Sequence, residues 1–144
     1  MKTNLTDMCH EMGIANLATL RPRWMLVDDN RAALEMLGRM LSFITEAEVC
    51  LFDSPTAAVA AFYAEPHRYE MVITDFDMPG MCGPELCHAL RSLVANVPVI
   101  LMTGNDCLSE AEARQEGFNG FLRKPFTLDE FAQSVRNVLA RCEQ

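Results

Sequence analysis

Two hydrophobic rhythms take turns along this chain. Short apolar runs recur five times, and in the intervals apolar residues return every three or four positions. Trp24-Met25-Leu26-Val27 reads as a strand that stops at Asp28-Asp29. Asn30 is placed to cap a helix, and Leu34, Leu37, Leu41 and Ile44 give that helix one buried stripe. Residues 48–52 read as a second strand. Ser54-Pro55 predicts a capped helix with proline in its first turn, running to about Tyr63. Met71-Val72-Ile73-Thr74 is apolar or β-branched throughout, which suits a strand covered on both faces, and Asp75 stands at its exit.

Met78-Pro79-Gly80 then breaks regular structure, and Gly83-Pro84 opens a third helix to about residue 94, with Leu86, Leu90 and Leu93 facing inward. Residues 97–102, VPVILM, form a fourth strand that tolerates Pro98 near its start and ends at Thr103-Gly104. Residues 106–116 predict a polar fourth helix, anchored by little beyond Leu108 and Ala111 and stopped by Gly117. Gly120-Phe121-Leu122-Arg123 is a short fifth strand leading into Lys124-Pro125-Phe126. Thr127 and Glu130 make a capping box for the last helix, whose buried face is Leu128, Phe131, Val135, Val138 and Leu139. Met36, Met40, Met71 and Met102 read as core filling.

Five strands alternating with five helices imply one α/β domain, a parallel sheet covered by helices on both faces. The domain spans residues 23–144. Residues 1–22 form an N-terminal extension in which Leu5, Met8, Met12 and Leu17 could line one face of a short helix, weakened by Gly13. An arm, a helix packed on the domain and a dimer contact are all compatible with it. Periodicity leaves the strand order open. In the flavodoxin-like order 2-1-3-4-5, ligands bind past the strand carboxyl ends near strands 1 and 3.

Charge and composition narrow the function classes. The net charge of −8, without a Lys/Arg cluster, argues against direct nucleic-acid binding. No apolar run approaches the roughly 20 residues of a membrane span. Asp7, His10 and Glu11 interrupt any signal-peptide core, so the expected location is the cytoplasm. The six cysteines (Cys9, Cys50, Cys82, Cys87, Cys107, Cys142) show no CxxC pair and read as reduced thiols.

The candidate chemistry emerges from the strand ends. Asp75 alone would read as a capping or turn residue. Under the 2-1-3-4-5 order, however, strands 1, 3, 4 and 5 are neighbours, and those four alone end in chemistry-bearing residues: Asp28-Asp29, Asp75, Thr103 and Lys124. Strands about 4.8 Å apart would make carboxylates on strands 1 and 3 repel by roughly 3 kcal/mol per pair at an effective dielectric near 20. Either their pKa values rise or a cation neutralises them. An all-oxygen site suits Mg²⁺ or Mn²⁺ rather than zinc. A divalent ion, an ammonium and a hydroxyl around one carboxylate nucleophile are what a phosphoryl group requires.

With VDD at 27–29, an apolar strand into Asp75, MP at 78–79 with Gly83, MTG at 102–104 and KPF at 124–126, the chain resembles the receiver domain of two-component response regulators. The matches cover residues 24 to about 140. The resemblance implies the flavodoxin-like (βα)₅ three-layer sandwich of order 2-1-3-4-5. It implies that Asp75 accepts a phosphoryl group from a phosphohistidine on a sensor histidine kinase or histidine phosphotransfer protein. It implies Mg²⁺ held by Asp29 and Asp75, by Asp28 partly through water, and by the main-chain carbonyl of Asp77. Lys124 and Thr103 would contact the phosphoryl oxygens, the Lys124–Pro125 peptide would be cis, and Phe121 would be the aromatic switch that turns inward as Thr103 moves. Helix 4, strand 5 and helix 5 would then present a changed surface to a downstream protein.

Some positions depart from the family pattern. Phe121 is more often Tyr and has no hydroxyl to bond in the inward state. Cys82 replaces a frequent Asp, and an inert, partly exposed thiol is its plainer reading. Asp77 puts a charge beside the phosphate, whereas Gly104 leaves it accessible. The chain ends with helix 5, as expected of a single-domain regulator or a receiver cut from a larger protein. Two other readings fit less of the chain. A haloacid-dehalogenase-type phosphatase also forms an aspartyl phosphate, but its acidic metal pair follows the lysine, whereas Asp28-Asp29 comes first here. A phosphate-independent receiver-like binding module would not need all five site residues.

Overall fold

The computed structural model describes residues 21–106 and 108–142. The expected helix around Leu5, Met8 and Met12, with Cys9, His10 and Cys107, lies outside the described residues. Five strands, β1 (Arg23–Val27), β2 (Glu48–Phe52), β3 (Tyr69–Asp75), β4 (Val99–Thr103) and β5 (Gly120–Arg123), pair in parallel in the order β2-β1-β3-β4-β5. Between and after them run α1 (Arg31–Ser42), α2 (Pro55–Ala64), α3 (Gly83–Leu93), α4 (Glu110–Gln115) and α5 (Leu128–Cys142), with a short 3₁₀ turn at Pro66–Arg68. This is the flavodoxin-like order expected from the sequence.

The three layers follow from period-two alternation in strands that bury both faces. Met25 and Val27 join Ala58 and Phe62 of α2 and Leu86 and Leu90 of α3 on one side. Trp24 and Leu26 join Leu34, Leu37 and Leu41 of α1 and Phe131, Val135 and Val138 of α5 on the other. β3 and β4 are apolar along nearly their whole length because both neighbours and both faces cover them. β2, at the edge, is half-exposed.

The helix boundaries follow local chemistry. Asn30 Oδ1 accepts from the Ala33 N–H, Ser54 Oγ from the Ala57 N–H, and Thr127 Oγ1 from the Glu130 N–H. β4 begins two residues later than its apolar run: Pro98 has no N–H to give, although its carbonyl already accepts from the Val72 N–H. α4 is only six residues long, not eleven. Its start is set by Ser109, whose hydroxyl accepts from the Glu112 N–H and donates to the Glu112 carboxylate. Ala113, rather than Ala111, carries its buried contact.

Four other expectations are corrected. Leu93 and Leu128 sit at helix ends and are exposed, and Ile44 follows the end of α1. Met36 is 56% exposed and does not fill the core. Arg91 on α3 donates to the carbonyl of Gly117 and to Asn119 Oδ1 (2.6 Å), whose oxygen also accepts from the Val99 N–H. That arrangement seats β5 beside β4.

Candidate functional site

Strand register assembles the site. Val27 pairs with Thr74, so Asp28 and Asp75, the next residues, emerge side by side. Asp75 pairs with Met102, and Thr103 follows; Thr103 pairs with Arg123, and Lys124 follows. Side chains from four adjacent strands therefore converge where the strands end. Close approach of α3 completes this rim. A Cβ at Gly83 would stand 2.7 Å from the Asp75 carbonyl oxygen, and the Gly83 N–H donates to the Phe76 carbonyl at 2.8 Å. Only glycine lets α3 start against the backbone of the acidic strand. Pro79-Gly80 makes the intervening turn, with Gly80 at φ +83°.

Asp28, Asp29 and Asp75 each offer a carboxylate oxygen, and these atoms lie within 4.8 Å of one another. Lys124 Nζ stands 3.0 Å from Asp28 Oδ2 and 3.2 Å from Asp75 Oδ1. The other Asp28 oxygen accepts from the Asn30 N–H at 2.9 Å, so this carboxylate, 1% exposed, is held from both sides. Asp29 is exposed, and the Asp75 side chain is 14% exposed. Three carboxylates against one ammonium leave a formal charge of −2. An all-oxygen group of that charge, with one member open to solvent, fits a hard divalent cation such as Mg²⁺.

Burial pushes the Asp75 carboxyl above its ordinary pKa, and Asp28 adds to the rise, while Lys124 opposes it. Burial lowers the Lys124 ammonium, but the Asp28 hydrogen bond and the charges of Asp75 and Asp28 more than offset this, so its pKa is raised. The lysine is thus a fixed positive charge and the aspartate a carboxylate poorly served by its surroundings.

The remaining sequence-predicted residues stand nearby. Thr103 is 1% exposed, and its hydroxyl accepts from the Asn105 N–H at 2.9 Å. Phe121 is half-buried against the core, with the Arg123 guanidinium carbon 5.2 Å from its ring centre. Asp77 is exposed, Gly104 has open space around it apart from the Lys124 Cβ at 4.0 Å, and the Lys124–Pro125 peptide is cis. Cys50, Cys82, Cys87 and Cys142 are free thiols. Burial raises the Cys82 pKa, in keeping with an inert thiol. Sequence reasoning missed Asn105 as the partner of Thr103, Arg123 as the residue that holds the Asn105 carbonyl, and the grip of the Asn30 N–H on Asp28. The last was signalled by an Asp two residues before a helix-capping Asn.

The comparisons agree with this geometry. The receiver-domain family of response regulators matches residues 25–136. The response regulator MprA of Mycolicibacterium vanbaalenii is 35% identical over 120 residues, which cover 83% of this chain and 51% of that protein. MprA of Mycobacterium avium is 33% identical over the same shares. The chain thus spans about half the length of the curated relatives it matches. A signal receiver domain of an HD domain-containing protein from Pseudomonas fluorescens superposes with a TM-score of 0.73 at 28% identity, covering 84% of this chain and 96% of that one. A receiver domain protein from Clostridium thermocellum gives a TM-score of 0.77 at 24% identity, covering 85% and 97%, and shares the fold. Among the described residues no helix is long and apolar enough to cross a membrane. Matched over most of its length, and with the acidic residues and lysine gathered at the strand ends, this chain belongs to the receiver domains of response regulators.

Proposed function

We propose that residues 23–144 act as a phosphorylation switch in which Asp75 is the acceptor. A carboxylate oxygen of Asp75 attacks the phosphorus of a phosphohistidine on a sensor histidine kinase or histidine phosphotransfer protein, and the P–N bond breaks as the O–P bond forms. Asp28, Asp29, Asp75 and the Asp77 main-chain carbonyl would hold Mg²⁺ (or Mn²⁺), which would neutralise charge on the phosphoryl oxygens. Lys124 supplies the protein's own positive charge, and Thr103 supplies a hydroxyl donor. The only chemistry is self-phosphorylation and autodephosphorylation. Movement of Thr103 and Phe121 then alters the surface of α4, β5 and α5 for a downstream protein. The domain works in the cytoplasm, where free thiols such as the four described persist.

The observation that carries this reading is Lys124 Nζ lying between Asp28 and Asp75 inside a group of three carboxylates. A further observation supports the donor. Ala33, Met36, Leu37, Met40, Pro125 and Phe126, with Lys124, line an apolar groove of about 220 Å³ beside the site, and the exposure of Met36 suits docking of a donor helix there. Incubation of the full chain with Mg²⁺ and acetyl phosphate tests the reading. Wild type is expected to gain one phosphoryl group that is lost in base, and Asp75→Asn none. Full labelling of Asp75→Asn would move the acceptor to another residue. A wild type that takes no label and ignores beryllofluoride would be the phosphate-independent module.

A further inference from the structure

We propose that Arg123 is a positioning residue: it holds the Thr103 hydroxyl in its resting orientation by gripping the backbone to which that hydroxyl is bonded. The proposal rests on the reading of Asp75 and Thr103 given above. Arg123 is the register partner of Thr103 in the sheet. Period two puts it on the same face of β5 as Phe121, opposite to the buried Gly120 and Leu122. From there its guanidinium donates to the Asn105 carbonyl at 2.8 Å and the Leu108 carbonyl at 2.6 Å, and stands 3.4 Å from Asp106 Oδ1. Its carbon lies 5.2 Å from the Phe121 ring centre, within cation–π range.

Asn105 is therefore pinned at both of its backbone groups. Its N–H donates to Thr103 Oγ1, and its carbonyl accepts from Arg123. Turning the Thr103 hydroxyl toward a phosphoryl group on Asp75 requires one of two things. Either the Asn105 N–H loses its acceptor, or Asn105 follows and leaves Arg123. Inward rotation of Phe121 would also withdraw the ring from the guanidinium. The contacts of Arg123 with Asn105 and Phe121 thus belong to the resting arrangement, and among the described residues its side-chain contacts do not include Asp28, Asp75 or Lys124. Arg123 weights the equilibrium toward rest, so its removal favours the switched state without altering the phosphorylation chemistry. A planar fork spanning two carbonyls cannot be replaced by the point charge of lysine.

The test uses the full chain with Mg²⁺, titrated with beryllofluoride as the phosphoryl mimic and followed by amide NMR at Thr103, Asn105 and Phe121. Arg123→Met keeps the aliphatic stem, and Arg123→Lys keeps the charge. In both, half-saturation is expected at a roughly three- to tenfold lower beryllofluoride concentration. In the unliganded variants, the Thr103 and Phe121 resonances should shift along the line joining free and loaded wild type. A purely structural role would lower the unfolding midpoint without moving resonances along that line. In wild type, loading should either strip the Asn105 amide of its protection from solvent exchange or shift the Arg123 guanidinium resonances as Asn105 leaves them, a measurement that needs no variant. Unchanged or weaker beryllofluoride response in the variants, or a loaded wild type in which neither the Asn105 protection nor the Arg123 guanidinium resonances change, would overturn the role of Arg123 alone. A wild type indifferent to beryllofluoride would overturn the phosphorylation reading and this role together.

Discussion

The two ends of the sheet use the same residue types in opposite ways. At the amino ends of the strands, Arg23 is paired with Glu48 at 3.2 Å and with Glu65, and Arg68 stands 4.0 Å from Glu48 and 3.9 Å from Glu65. Two cations meet two anions, and each has partners. The Glu48 hydrogen bond leads the causes that raise the Arg23 pKa. At the carboxyl ends, three carboxylates gather beside one lysine that reaches two of them, Asp28 and Asp75, and burial leaves Asp75 reluctant to ionise. A cluster of charges is therefore not itself the mark of a site. The mark is an imbalance the fold does not cancel, because a solvated surface network relaxes to neutrality whereas a binding site keeps a deficit for its ligand to fill.

The largest expected effect comes from changing that imbalance directly. Asp28→Asn takes the group from −2 to −1 and removes one oxygen anion, so Mg²⁺ affinity should fall by roughly 100-fold, since even outer-shell partners are typically worth about 10–100-fold. Titration of amide shifts with Mg²⁺ reads this, and an unchanged midpoint would place the cation elsewhere. Lys124→Ala takes the group the other way, to −3. Mg²⁺ should then bind more tightly, by roughly tenfold, through removal of a nearby like charge. Phosphorylation by acetyl phosphate should persist while the accompanying shifts in α4, β5 and α5 disappear. Shifts equal to wild type would remove Lys124 from the coupling.

Asp75→Asn has a smaller effect of opposite sense on folding. Because the folded pKa of Asp75 is raised by burial, the folded protein binds more protons at this group than the unfolded chain just above the ordinary carboxylate range. The contribution of the group to stability is therefore present at low pH and is lost as pH rises through the raised value. Neutral Asn should make the metal-free protein more stable than wild type at pH 7, with the gain shrinking under acid. A urea midpoint lower than wild type at neutral pH would contradict the cause assigned to the shift.

How much of this was legible in the sequence depends on whether the signal is local. The strand ends were, because a buried strand reads as an apolar run and its end as a break in that run: Asp28 follows β1, Asp75 and Thr103 end β3 and β4, and Lys124 follows the short β5. Helix starts were also legible where one side chain caps the chain three residues on, at Asn30, Ser54 and Thr127. The start of α4 carried the same Ser109–Glu112 signal and went unread against the weak apolar pattern around it. Met36 misled because a helix stripe reports spacing, not which neighbours cover it. Arg123 was illegible for a deeper reason. Its partners are main-chain carbonyls of Asn105 and Leu108, which every residue possesses, so no side-chain pattern announces them.

The smallest expected effect tests the other half of the comparison. Trp24, at the amino end of β1, is 2% exposed, and its indole N–H donates to Glu70 Oε2 at 2.9 Å. Trp24→Phe removes that bond and part of the ring, and should cost about 1–2 kcal/mol of stability, read as a lower urea midpoint at unchanged slope. Since the strand length separates Trp24 from the carboxylate group, neither the Mg²⁺ midpoint nor the rate of acetyl phosphate labelling should change. If both ends of the sheet were one electrostatic unit, this substitution would shift Mg²⁺ affinity as well. Its silence there, beside the response of Asp28→Asn, would show that the amino end of the sheet supports the fold while the charge deficit at the opposite end is reserved for the ligand.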